Sequence, residues 1–247
     1  MRIALISDIH SNLAALEAVL ADAGPVDETW CVGDVVGYGP DPNECVDLLR
    51  ARKHLLCVAG NHDRAAIGKM DTRNFNPDAE AAAQWTSRQL TPSSRRFLEE
   101  LPPARELEQH DITIVHGSPR EPIWEYMIYS SIAQANVELL NTRYCFVGHT
   151  HIPVMFNCAS GPLGHTCRTV TPVYDVLFKL ADGYLFVNPG SVGQPRDDNP
   201  DASYVVLDLP DHTVTYRRVP YDVQKTQRKM QKAGLPQRLW MRLSYGW

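Results

Sequence analysis

The sequence predicts an α/β fold in which two β-sheets pack face to face with helices on the outside. The first 60 residues alternate short apolar runs with amphipathic stretches, the pattern of parallel strands joined by right-handed crossover helices. After residue 152 the chain becomes mostly extended, and Gly, Pro, Asn and Asp turns separate its apolar runs, which supplies further strands. At 247 residues there is room for one sizeable domain and not for two enzymatic ones, so residues 1–247 are read as a single domain.

Arg2 to Ser7 reads as the first strand. Asn12 to Ala23 carries Leu13, Leu16, Val19 and Leu20 on one stripe, an amphipathic helix stopped by Gly24-Pro25. Glu28 to Val32 is the second strand. Asp41 then serves as N-cap and Pro42 as first residue of a helix whose apolar side is Val46, Leu48 and Leu49. His54 to Ala59 is the third strand. Pro77 to Leu101 is rich in Ala, Gln and Glu and is expected as two helices broken at Thr91-Pro92. Arg105 to Gln109 and Ile112 to His116 form a hairpin, Ser131 to Asn141 a helix and Tyr144 to Val147 a strand. Further strands are Val154 to Cys158, Val173 to Leu180, Tyr184 to Asn188, Tyr204 to Asp208 and Val214 to Arg218. A helix from Asp222 to Ala233 ends at Gly234-Leu235-Pro236, and a short tail follows.

A net charge of −5 and a pI near 6.0 lack the basic face of a DNA-coating protein, so no nucleic-acid partner is expected. The apolar run Ile3 to Ile6 ends at Ser7, shorter than a secretory core of about seven residues and far short of a membrane span. Among the six cysteines no C-x-x-C pair occurs. Cys31, Cys57 and Cys145 lie inside apolar runs and read as small buried hydrophobes. Cys158 and Cys167 flank a Gly/Pro turn across which they would reach one another, but a reducing compartment keeps such thiols free. The reading is a soluble cytoplasmic protein with reduced cysteines and no membrane partner; a homo-oligomer is an open alternative.

The chemistry lies in five short motifs: Asp8-Ile9-His10, Gly33-Asp34, Gly60-Asn61-His62-Asp63, His116, and Gly148-His149-Thr150-His151. Each follows a strand-like run, and open α/β sheets put ligand sites at the carboxyl ends of their strands. Taken singly, Asp-x-His reads as a turn or cap, Gly-Asp says almost nothing, and Gly-Asn-His-Asp suits a tight turn. Two histidines two residues apart after a strand have few structural uses. Together the motifs supply three carboxylates, an amide oxygen and five imidazoles, the ligand inventory of two adjacent divalent metals plus a spare histidine. Imidazole with carboxylate suits manganese first, with iron, zinc or nickel as alternatives, better than calcium or magnesium. Such a pair clamps both oxygens of an in-line phosphoryl displacement.

This set resembles the full signature of the calcineurin-like metallophosphoesterase superfamily over residues 1 to about 151. Tyr38-Gly39-Pro40-Asp41-Pro42, His116-Gly117-Ser118-Pro119-Arg120 and Asn188-Pro189-Gly190-Ser191-Val192-Gly193 resemble its compact bacterial and archaeal phosphodiesterases. The resemblance implies a four-layer αββα sandwich of two mixed sheets flanked by helices. It implies one metal on Asp8, His10, Asp34 and His151 and another on Asp34, Asn61, His116 and His149, with Asp34 bridging. His62 would stay uncoordinated and face the phosphate as a catalytic residue, with Asp63 orienting it. The activity implied is phosphodiester hydrolysis, including dinucleoside polyphosphates, by in-line attack of a metal-bridging hydroxide on a small phosphoester or nucleotide. A phosphomonoesterase or protein phosphatase, a nuclease, and a non-catalytic scaffold of the same fold are the alternatives.

Weaker signals remain. Arg64, Arg120 and Arg196 adjoin the motifs and read as surface charges rather than phosphate contacts. The Asn188–Ser191 turn either presents amides to an anion or supports the rim. Arg217 to Trp247 holds eight Lys/Arg and one acid, Asp222, and reads as a solvated helix face with a docked tail. His54, His110, His165 and His212 receive no role.

Overall fold

The computed structural model describes residues 1–162, 164–180 and 182–247. The first third of the chain runs β1 (Arg2–Ile6), α1 (Leu13–Ala23), β2 (Glu28–Cys31), α2 (Pro42–Arg50), β3 (Leu55–Cys57) and α3 (Asn61–Ala66). Next come α4 (Pro77–Gln89), α5 (Pro92–Glu100), β4 (Ala104–Leu107), β5 (Ile112–Val115), α6 (Ser130–Asn136) and β6 (Tyr144–Phe146). The rest is β7 (Val154–Gly161), β8 (Gly164–Val170), β9 (Leu177–Lys179), β10 (Tyr184–Asn188), β11 (Ala202–Asp208), β12 (Thr213–Val219), α7 (Val223–Lys232) and α8 (Gln237–Met241).

Two mixed six-stranded sheets form, ordered β3-β2-β1-β11-β12-β9 and β4-β5-β6-β10-β7-β8. As the alternation predicts, β1, β2 and β3 are parallel, with Ile3 opposite Glu28 and Thr29 opposite Leu55. In the second sheet β5 and β6 are parallel, while β4 and β5 form the expected hairpin. Parallel strands put the residues that follow β1, β2 and β3 at one edge, and those that follow β5 and β6 likewise. This is what gathers the motifs.

The strand alternation builds three layers of core. Ile3 and Leu5 of β1 join Trp30, Ile114, Phe146, Val187, Val205 and Tyr216 between the sheets. Ala4 and Ile6, one residue out of phase, pack instead against Leu16, Val19, Val46 and Leu49 of α1 and α2. On the far side, Cys145, Phe156 and Phe186 pack against Ala133 of α6 and the following Val137. Each large apolar side chain buried in these layers contributes roughly 1.5–3 kcal/mol relative to exposure. The result is the αββα arrangement that the sequence predicts.

Several elements depart from expectation. The Gly-Asn-His-Asp motif does not stay a turn: Asn61 begins α3, six residues long, so its polar residues are helical. β8 was unanticipated because it is an edge strand with both faces largely exposed, which leaves no apolar alternation to read. The strand expected from Val173 to Leu180 shrinks to β9, and the helix expected to Asn141 ends at Asn136. Asp41 precedes α2 as expected, yet its carboxylate makes no cap bond; Oδ1 accepts from Lys229 Nζ of α7 at 2.7 Å. The tail adds α8, whose Leu239 packs with Leu235, Leu243, Met230, Ala82 and Tyr38, so this segment is docked on its own fold.

The expectation of free thiols at positions 158 and 167 is corrected. The β7–β8 register sets Cys158 directly opposite Cys167, Cα atoms 4.0 Å apart, and the two form a disulfide. Geometry decided this where the compartment argument pointed the other way. Cys31, Cys45, Cys57 and Cys145 are buried and form no disulfide. Among the described residues no helix is long and apolar enough to cross a membrane.

Candidate metal centre

Asp8 lies two residues beyond β1, Asp34 three beyond β2, Asn61 at the start of α3, His116 immediately after β5 and His149 three beyond β6. The structure brings these together with His10 and His151, all buried. One cluster comprises Asp8, His10, Asp34 and His151, another Asp34, His116 and His149, and within each the ligand atoms lie within 4.8 Å of one another. Asn61 Oδ1 stands 3.2 Å from His116 Nε2, so the amide borders the second cluster. Asp34 belongs to both.

The backbone at these positions is unusual. Asp8, His10, Asp34, His149 and His151 all have φ between 48° and 66°, the left-handed region that non-glycine residues rarely occupy. Such strain costs on the order of 1–3 kcal/mol per residue and persists only where surroundings impose it. Here the loops are stitched together: Asp8 N–H donates to Gly33 O at 3.1 Å and His10 N–H to Asp34 O at 3.0 Å. Ser191 Oγ donates to Asp8 O at 2.7 Å, and Asn188 Nδ2 to Gly148 O at 2.7 Å. The Asn188–Ser191 turn therefore supports the rim.

Hydrogen bonding fixes the imidazoles. Nδ1 of His10, His116 and His151 faces the carbonyls of Val36, Val32 and Gln194 at 3.3, 2.8 and 2.6 Å. A carbonyl only accepts, so Nδ1 carries a hydrogen in each of the three, which leaves Nε2 to face the centre. His149 is reversed: Nε2 donates to Trp124 O at 3.1 Å, which leaves Nδ1 for the site. The Nε2 atoms of His10 and His151 then confront each other at 3.0 Å as two lone pairs. Asp8 Oδ1 and Asp34 Oδ2 are buried acceptors with no hydrogen-bond partner. Orphaned carboxylate oxygens beside converging imidazole lone pairs fit divalent cations.

Electrostatics agree. Burial pushes the Asp8 carboxyl up to about 7, against the pull of His116 and with the help of the Asp34 charge. Burial acts the same way on Asp34, but His116, His62 and His10 outweigh it and hold that carboxyl well below the usual range. Burial opposes protonation of His116, yet Asp34 and Asp8 drive it up to about 10. Burial holds His10, His149 and His151 well below their ordinary value, in the neutral form that ligates. The carboxylates thus call for positive charge at their centre.

His62 lies beside the clusters with no hydrogen-bond partner for its buried Nδ1, its ring against Tyr38 at 4.3 Å and Phe75 at 4.9 Å. Its backbone N–H donates to Asp34 Oδ1 at 2.8 Å. Asp63 does not make the contact with the His62 ring that the sequence led us to expect. Oδ1 accepts from Val36 N–H and Oδ2 from Gly60 N–H, at 3.0 and 2.9 Å, so Asp63 closes the first turn of α3 and aligns His62 only through the helix. A third residue along a helix from its cap points back at the cap, and that explains the difference.

Of the motif-adjacent arginines, Arg64 donates to Leu101 O and Arg120 pairs with Glu125, as structural charges do. Arg196 instead lies over the Tyr38 ring, 5.9 Å from its centroid, at the edge of the site. Sequence reading missed Ser7, whose hydroxyl donates to Asp8 Oδ2 at 2.6 Å, and the aromatic neighbours Phe75, Trp124 and Tyr126. Only the left-handed backbone would have flagged the strain, and no local sequence signal reports it.

The sequence profile of the calcineurin-like phosphoesterase superfamily domain matches residues 1–212. An uncharacterized protein of Methanocaldococcus jannaschii is 38% identical over 250 residues, 99% of this chain and 98% of that protein. A crystal structure of a metallophosphoesterase from Sphaerobacter thermophilus is 44% identical, covers 100% of this chain and 99% of its own, and superimposes with a TM-score of 0.89. A symmetrical bis(5'-nucleosyl)-tetraphosphatase of Photorhabdus laumondii is 35% identical over 104 residues, 34% of this chain and 37% of that enzyme.

Proposed function

The chain belongs to the calcineurin-like phosphoesterase superfamily, and from that premise we propose that this metal-dependent phosphoesterase is a dinuclear phosphodiesterase whose catalytic domain spans residues 1–247. The observation that carries the reading is the pair of clusters that share Asp34, each lined by imidazoles and an orphaned carboxylate oxygen. Asp8, His10, Asp34 and His151 would hold one ion. Asp34, Asn61, His116 and His149 would hold the other, with manganese first and iron, zinc or nickel as alternatives. When bound, the ions supply Lewis acidity toward the phosphoryl oxygens and an activated water for in-line attack.

The chain's own residues do the rest. Asp34 Oδ1 is held by the His62 N–H, which leaves Oδ2 for the centre. The carbonyls of Val32, Val36, Gln194 and Trp124 fix each imidazole's tautomer. His62, free at Nδ1, faces the phosphate, where it neutralises charge or protonates the leaving oxygen. Burial pushes its imidazolium down to about 4, and the negative charge of a bound phosphate acts in the opposite direction. A small phosphoester or nucleotide is the substrate, and the tetraphosphatase relative supports dinucleoside polyphosphates as a class to test.

The test is a metal-by-substrate screen on protein stripped with chelator and reloaded. We expect activity to vanish on stripping and return with manganese, with bis-p-nitrophenyl phosphate turned over faster than p-nitrophenyl phosphate. The reverse preference would mean a monoesterase, and hydrolysis of single-stranded DNA a nuclease. No metal-restored turnover of any of them would overturn the reading.

Gly60→Ala tests the architecture without replacing a candidate ligand. A Cβ at position 60 would overlap Asp34 Oδ1 and press on Asp34 Cγ and backbone N, none of which can retreat. Metal affinity is expected to fall roughly 10- to 100-fold, the effect of disturbing a ligand's support. Titration with metal on the stripped variant checks this, and an unchanged affinity would show that Asp34 is free to move.

A further inference from the structure

An aromatic arc frames the mouth of the site. Tyr126 stacks on the His149 ring at 3.8 Å and 29°. Trp124 lies 5.9 Å from the same ring and stacks on Phe75 at 5.6 Å and 22°, and Phe75 in turn meets His62 at 4.9 Å. The imidazoles are buried, but Trp124 and Tyr126 are 36% and 40% exposed. Two large aromatic side chains this exposed, in ring contact with a buried imidazole of the centre, are an unusual use of apolar surface.

The segment that carries them is held firmly. Glu125 accepts from Ser118 Oγ at 2.6 Å and Asn136 Nδ2 at 2.9 Å and pairs with Arg120. Trp124 O receives the His149 Nε2 hydrogen, so the position of the indole is tied to a candidate ligand. The rings are therefore preorganised rather than loosely exposed, and a flat partner binds such a platform with little ordering to do.

The geometry points to a nucleobase-stacking platform: Trp124, backed by Phe75 and flanked by Tyr126, takes the base of a nucleotide whose phosphate lies at the paired clusters. Stacking on an aromatic face is tolerant of which base is present, so the platform selects nucleotides over base-free phosphoesters without selecting one base. This rests on the phosphoesterase reading of the centre and names the substrate class that reading leaves open.

The experiment compares AMP with ribose 5-phosphate, which share the phosphate and sugar and differ by the base. Each is titrated by calorimetry into manganese-loaded protein, wild type, Trp124→Ala and Trp124→Phe. We expect wild type to bind AMP at least roughly 10-fold more tightly, within the range that stacking one base supports. The ratio should collapse to within about 2-fold in Trp124→Ala and persist in Trp124→Phe. Equal affinities in wild type, or a preference that survives in Trp124→Ala, would overturn the platform. Its failure is separable from that of the phosphoesterase reading: a protein that hydrolyses esters but ignores the base loses only the platform, whereas a base preference without any turnover loses only the hydrolase.

Discussion

Asp34→Asn is expected to abolish turnover and to lower bound metal from about two equivalents per chain to about one or fewer. Among the described residues Asp34 alone belongs to both clusters, and its two oxygens have separate tasks. Oδ1 accepts the His62 N–H at 2.8 Å, while Oδ2 is buried without a partner, 3.3 Å from His116 Nε2 and 3.5 Å from His10 Nε2. An asparagine cannot satisfy both. With its amide nitrogen at the centre it points hydrogens at the cations; flipped, it sets donor against donor at His62. The side chain has nearly the same shape, so the fold should survive and the loss should appear in metal analysis and activity. Two full equivalents in the variant would remove Asp34 from the shared position.

Substitution of His62 should separate chemistry from metal binding. Neither ring nitrogen belongs to a cluster, and the contact with Asp34 runs through the backbone N–H, which survives in His62→Ala and His62→Asn. Metal content should therefore stay near wild type while turnover drops about 10²- to 10⁴-fold, the effect of losing a positioned proton donor. With p-nitrophenolate as leaving group the loss should be smaller, because that group departs without protonation. An equal loss for activated and unactivated esters would assign His62 to electrostatics or positioning, and loss of metal would assign it to the centre itself.

What the sequence could announce and what it could not follow from the range of each effect. The alternation of Ile3 and Leu5 with Ala4 and Ile6 is local, so β1 and its two buried faces were legible, as were the parallel neighbours β2 and β3. The candidate site residues could be grouped from the sequence because each follows a strand-like run, and the structure brings them together. β8 was not, since an exposed edge strand carries no apolar period. Nor was the Cys158–Cys167 disulfide, which register and not composition decides. The resemblance implies that Asp63 orients the His62 ring, but its position in the first turn of α3 points it back at the Gly60 N–H instead. The tautomers rest on carbonyls up to 84 residues away in sequence, as with His116 and Val32, and Trp124 reaches His149 through its backbone. Such contacts exist only once the sheets have packed.

In the proposed site two ions sit side by side on a shared Asp34. Anomalous diffraction from crystals of manganese-reconstituted protein tests it most directly. Two peaks about 3.5 to 4 Å apart are expected, one among Asp8, His10, Asp34 and His151 and the other among Asp34, Asn61, His116 and His149. A single peak, or two peaks whose ligands do not include Asp34 in common, would contradict it.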